Sequence, residues 1–141
     1  MKSQRFGIEI EMTGLTRRSA ALIIAKHFDT DFRHERGIYD TYSVCDQDGR
    51  KWKIVRDASI TPQCGNRFNY DPDYKVEVVS PICHYEDIET IQSIVRELRR
   101  NGHAKVNESC GIHIHVDASK HTARSLRNIA NIMYSKEDLI F

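Results

Sequence analysis

The sequence lacks most of the features that assign a chain of this size at sight. No apolar run approaches the roughly 20 residues needed to cross a bilayer; the longest runs only from Ala20 to Ala25. Four cysteines, Cys45, Cys64, Cys83 and Cys110, include no C-x-x-C pair, so they do not form a zinc knuckle. In a reducing compartment they are free thiols. Neither G-x-x-x-x-G-K-[ST] nor G-x-G-x-x-G occurs, so a nucleotide would have to be held another way, through metal ions. An excess of one charge is missing too. With 21 basic and 20 acidic residues the net charge is +1, which gives no field to gather nucleic acid. Glu9 and Glu11 stand where a signal peptide needs its apolar segment, so a cytoplasmic protein without membrane or nucleic-acid partners is expected. Repeats and low-complexity tracts are absent.

What is present suits one globular domain over residues 1–141, with 40% hydrophobic and 29% charged residues. Its most informative stretch is Ile112-His113-Ile114-His115-Val116, which alternates apolar and imidazole side chains. Side chains of a strand alternate between its faces, so His113 and His115 project together, about 7 Å apart. A wet strand face would explain them equally well. The stretch Phe6 to Met12 repeats the device with carboxylates: Gly7, Glu9 and Glu11 share one face, and Phe6, Ile8, Ile10 and Met12 the other. Like charges on one face must be solvated, paired or bound to a cation. A carboxylate strand and a histidine strand in one small chain favour a shared metal site.

The remaining elements follow from pattern. A helix is expected from about Thr16 to Phe28, then a polar loop over Asp29–Gly37. Arg17 and Arg18 read as part of a solvated helix face. A hairpin follows, Ile38–Cys45 with Arg50–Val55, turning at Asp48-Gly49. Thr61–Tyr74 reads as a long loop, and Lys75–Pro81 as a strand carrying Glu77 among valines. A helix over Tyr85–Arg100 should stop at Asn101-Gly102, and a last helix over His121–Tyr134 should place Leu126, Ile129, Ala130 and Met133 on one side. The class is α+β: a mainly antiparallel sheet with helices on one face. Glu9, Glu11, Glu77 and one histidine are an oxygen-rich donor set that suits Mg²⁺ or Mn²⁺ better than zinc.

Four motifs in order, Phe6-Gly7-Ile8-Glu9-Ile10-Glu11, Trp52…Asp57-Ala58-Ser59-Ile60, Glu77-Val78-Val79-Ser80-Pro81 and Cys110-Gly111-Ile112-His113-Ile114-His115-Val116, resemble the amidoligases. These belong to the glutamine synthetase and glutamate–cysteine ligase superfamily of carboxylate–amine ligases. The resemblance implies a partial glutamine-synthetase-like core that joins a carboxylate to an amine with ATP and Mg²⁺ or Mn²⁺, through an acyl phosphate. It implies Glu9, Glu11, Glu77 and His113 as metal ligands, and His115 facing the ATP or acyl phosphate. It places Asp57 and Ser59 beside the substrate and makes Trp52 a candidate nucleotide contact, although strand packing accounts for a lone tryptophan more simply. Family members normally continue into further helices and a strand with a Glu-x-Arg motif, so the resemblance implies a chain lacking its C-terminal part, with a second copy or partner chain completing the site. Two other readings stand beside it. One is a zinc hydrolase built on His113, His115 and Glu77; the other is a non-catalytic module derived from such a ligase.

Overall fold

In a computed structural model, residues 3–65, 67–68 and 70–140 are described. The chain runs β1 (Phe6–Met12), α1 (Arg17–His27), β2 (Phe32–Arg36), β3 (Thr41–Cys45), β4 (Lys51–Val55), β5 (Gln63–Cys64), β6 (Arg67–Phe68), β7 (Val76–Val79), α2 (Ile88–Gly102), β8 (Ile112–Val116), α3 (Ala123–Ser135) and α4 (Glu137–Ile140). Six strands form one sheet in the order β2-β3-β4-β7-β1-β8, and every pairing in it is antiparallel. The class is α+β, as the pattern implies.

One face of the sheet is the core. Ala20, Ala21 and Ala25 are buried on α1, and their small side chains let the helix lie close to β3 and β4. Thr16 caps α1 by accepting from the Ser19 N–H. From α2 come Ile91, Ile94 and Leu98; the strands contribute Val44, Trp52, Ile54, Val76 and Val78. Trp52 is 2% exposed and packs on Phe28 at 5.6 Å between ring centroids, while its indole N–H donates to Asp46.

Several expectations change. The polar loop after α1 contains β2, an edge strand paired to β3 through Phe32↔Val44 and His34↔Tyr42. Its sequence hides the strand because an outer edge in water carries charge where an inner strand carries apolar residues. The long loop over 61–74 holds the small β5–β6 hairpin and a 3-10 turn at Pro72–Tyr74; Asn66 and Asn69 lie outside the described residues. The helix α2 runs through Asn101-Gly102 and ends at His103, which takes the left-handed conformation at φ 58°. Arg17 is 3% exposed rather than solvated. It bonds Asp40, Asp73 and the carbonyls of Pro72 and Lys75, gathering segments far apart in sequence. All four cysteines are free, as expected.

Beyond β1, Gly14 turns the chain with φ +87°, and a Cβ there would come within 2.8 Å of the His103 carbonyl oxygen. Gly14→Ala should destabilise the fold by about 1–3 kcal/mol, read as a lower urea midpoint at unchanged slope. Wild-type stability in that variant would show that the backbone relaxes freely here.

Candidate active site

The other face of the sheet carries the charged side chains, brought together by register. Glu9 pairs with His113 on one side of β1 and with Val79 on the other. Glu11 pairs with Glu77, and Gly7 with His115. Directly opposed residues share a face, so three strands supply one constellation. Ser80 holds the β1–β7 junction: its hydroxyl accepts from the Ile8 N–H at 2.9 Å and donates to the Pro81 carbonyl at 2.8 Å.

A fourth contribution comes from the loop after β4. Ile60 is fully buried and anchors Asp57-Ala58-Ser59 at the sheet. The Asp57 carboxylate accepts from the Ser59 N–H and hydroxyl, each at 2.6 Å. The segment before β8 locks this loop in place: Asn107 donates to the Thr61 carbonyl at 2.9 Å, and Ser109 Oγ accepts from the Thr61 N–H at 2.8 Å.

Two triads of donor atoms result, Glu9–Glu77–His113 and Glu11–Asp57–Glu77, each with its atoms within 4.8 Å of one another. Glu77 belongs to both. Burial, and then the charges of Glu9, Asp57 and Glu11, push the Glu77 carboxyl up to about 7. Glu9 moves the other way: hydrogen bonding to His115 lowers it most, against a desolvation effect that raises it. Both imidazoles meet the same Glu9 oxygen, His113 through Nδ1 and His115 through Nε2, each at 3.2 Å. The hydroxyl of Ser59 is the chief cause holding Asp57 below the usual carboxylate range. Glu11 is buried, and its carboxylate accepts the Gly111 N–H at 2.7 Å.

Beside the first triad lies a cavity of about 350 Å³, lined by Gly7, Glu9, Val79, Pro81, Ile82 and His115 among others. Gly7 lines it, and a Cβ there would meet the His115 Cβ at an ordinary 3.9 Å. Glu9, Glu11, Glu77 and His113 are thus gathered as the two strand patterns imply, and His115 borders the cavity. Asp57 stands nearer to the carboxylates than a purely substrate-side position implies, and its place in a cation triad has no signal in sequence beyond its Asp-x-Ser turn. Ser59 supports Asp57. Trp52 is not brought to the site: it points into the core on the opposite face, and packing is the role its position supports.

The family described as "Putative amidoligase enzyme" matches residues 2–141. The chain belongs to this amidoligase family. Membership carries a ligase-type function, and the motif residues Glu9, Glu11, Glu77, His113 and His115 of this amidoligase share one sheet face. No curated protein and no solved structure matches the chain. Among the described residues, no helix of this family member is long and apolar enough to cross a membrane.

Proposed function

We propose that the chain is the catalytic domain, glutamine-synthetase-like in architecture, of an ATP-dependent carboxylate–amine ligase. The observation that carries this reading is the pair of triads joined by Glu77. Four carboxylates and one imidazole form an oxygen-dominated set, which fits Mg²⁺ or Mn²⁺. Burial raises Glu77 first and repulsion from Glu9, Asp57 and Glu11 adds to it, and that repulsion is what a bound cation would relieve. Neither triad contains both imidazoles, which disfavours a zinc site of two histidines and one carboxylate. Glu9, Glu77 and His113 would hold one divalent ion, and Glu11, Asp57 and Glu77 a second. Such ions supply charge neutralisation for polyphosphate.

The residues themselves then have separable tasks. Gly7, Val79, Pro81 and Ile82 wall a cavity of the size small ligands occupy, next to the charged set. His115, which meets Glu9 through Nε2 at 3.2 Å, would donate a hydrogen bond to a phosphate oxygen. In the proposed reaction a substrate carboxylate oxygen bonds to the γ-phosphorus and ADP departs with the electrons of the broken P–O bond. The amine nitrogen next bonds to the acyl carbon, phosphate leaves with the C–O electron pair, and the amine loses a proton.

Calorimetric titration of a non-hydrolysable ATP analogue, with and without Mn²⁺, tests the reading. Binding should require the metal and should disappear in Glu9→Gln and Glu11→Gln. Undiminished binding in both variants, or silence in well-folded wild type, overturns it.

A further inference from the structure

The cavity beside the first triad carries, away from the carboxylates, a cation that the proposed reaction leaves unused. Arg5 directly precedes β1 and lies two residues before Gly7, so strand alternation puts it on the face of Gly7, Glu9 and Glu11. Asp117, directly after β8, stands opposite. Its N–H donates to the Arg5 carbonyl at 3.0 Å, which carries the ladder one step beyond Phe6↔Val116. Both residues line the cavity together with Gly7, Glu9 and His115, and Val79, Pro81 and Ile82 form its apolar wall. From Arg5 to Glu9 the strand covers about 13 Å at 3.3 Å per residue. The cavity is thus a short trough with a guanidinium at one end and the proposed cation site at the other. Among the described residues that line it, Arg5 is the one lysine or arginine.

The guanidinium is held but not used up. Its Nε and Nη2 donate to the same Asp117 oxygen, Oδ2, at 2.9 and 2.7 Å, so Nη1 takes no part in the pair. The other Asp117 oxygen accepts the Ser119 N–H at 2.9 Å, and Gln4 donates to the Asp117 carbonyl at 2.8 Å. Asp117 is thereby fixed, and it fixes Arg5 in turn. Half of the Arg5 side chain reaches solvent, so its planar fork of N–H donors is open to a ligand. Ordering a donor beforehand lowers the entropic cost of gripping an anion.

We propose that Arg5 is a specificity-determining residue: it binds a second carboxylate of the substrate whose first carboxylate is activated at the cation site. The inference rests on the proposed ligase reaction and names its substrate class, a molecule with two carboxylates separated by a largely apolar stretch no longer than the trough. The triphosphate is served by the cations of the triads, whereas a lone guanidinium matches a single carboxylate. Only one end of such a substrate reaches the triads, so only that end is activated.

Calorimetric titration of the full chain in Mn²⁺, without nucleotide, tests it. The probes are the straight-chain dicarboxylates from glutarate to suberate, each set against its monoamide, which keeps the length and loses one charge. At the best-fitting length the dicarboxylate should bind about 10-fold or more tightly than its monoamide, the scale of one charge-assisted hydrogen-bonded contact. Arg5→Met should erase that preference and leave the affinity for the non-hydrolysable ATP analogue in Mn²⁺ unchanged. Arg5→Lys should retain part of it. The Arg5–Asp117 pair is solvent-accessible, so these changes should leave the fold intact. Asp117→Asn separates binding from scaffolding: it removes the partner and keeps the guanidinium, so the preference should persist or grow. Absence of a preference at every length, a preference that survives Arg5→Met, or one lost in Asp117→Asn overturns the inference. Weaker binding of the ATP analogue by Arg5→Met would assign Arg5 to the nucleotide and overturn it as well. The two ligands are read separately. Silence toward the ATP analogue beside an Arg5-dependent dicarboxylate preference would overturn the ligase reading and keep Arg5 as a carboxylate site.

Discussion

Glu77→Gln is expected to abolish divalent-cation binding while making the cation-free protein more stable above neutral pH. The two effects share one cause. Glu77 is the only donor common to both triads, so its loss leaves each with two ligands, and affinity for Mn²⁺ should fall by at least about 100-fold. In the absence of cation the same carboxylate is a burden. It titrates at about 7 in the folded chain against an ordinary 4.5, so the folded state binds its proton more tightly than the unfolded state does. The stability this contributes is fully present below pH 4.5 and is lost as pH rises through 7. The ceiling is roughly 1.4 kcal/mol per pH unit, and solvent screening at a partly buried site brings the whole change to about 1–3 kcal/mol. Melting curves in chelator should therefore decline for wild type between pH 5 and 8 and stay flatter for the variant. Added Mn²⁺ should raise wild-type Tm and leave the variant unmoved. A variant that melts below wild type at pH 8 in chelator would show that Glu77 is stabilised as the anion.

Arg17→Met should be the most destabilising single change outside the apolar core. Its guanidinium bonds Asp40, Asp73 and two backbone carbonyls, so removal unties the Pro72–Tyr74 turn from α1 and from the segment before β3. Breaking a buried ion pair costs about 3–5 kcal/mol, and the lower end applies because Asp40 and Asp73 reach solvent. At this chain length that is a Tm loss of about 10 °C. Acid adds a signature. The Arg17 hydrogen bond is the chief cause holding Asp40 below its ordinary range, so its contribution is present above the unfolded pKa and fades as pH falls. Wild type and variant should thus converge at low pH. A constant gap down to acid unfolding would place the role of Arg17 in its carbonyl bonds alone.

How far the sequence discloses this molecule depends on where the partners of each residue lie. The strands β1 and β8 are legible because alternation is local: Ile8-Glu9-Ile10-Glu11 and Ile112-His113-Ile114-His115 each state their own two faces. The strand β2 is hidden since Arg33, His34 and Glu35 sit on an edge in water, where burial imposes no pattern. Arg17 reads as solvated because its acidic partners stand 23 and 56 residues away. Asp57 reaches the carboxylates through Ile60 and the Asn107–Ser109 tether, and neither is a motif. The apolar side of β8 is legible as apolar, and Ile112, Ile114 and Val116 remain largely exposed among the described residues.

The pairing of β1 with β8 also dictates an order of assembly. Glu9 meets His113 at a sequence separation of 104, and Phe6 meets Val116 at a still larger one. Contacts so distant along the chain form late, after loop closure has become affordable through nearer ones such as the β3–β4 hairpin. On the ribosome, the carboxylates of β1 emerge before the histidines of β8 and must wait for them. The first triad is therefore complete only when synthesis has passed Val116, which makes the proposed cation site a product of folding rather than its nucleus.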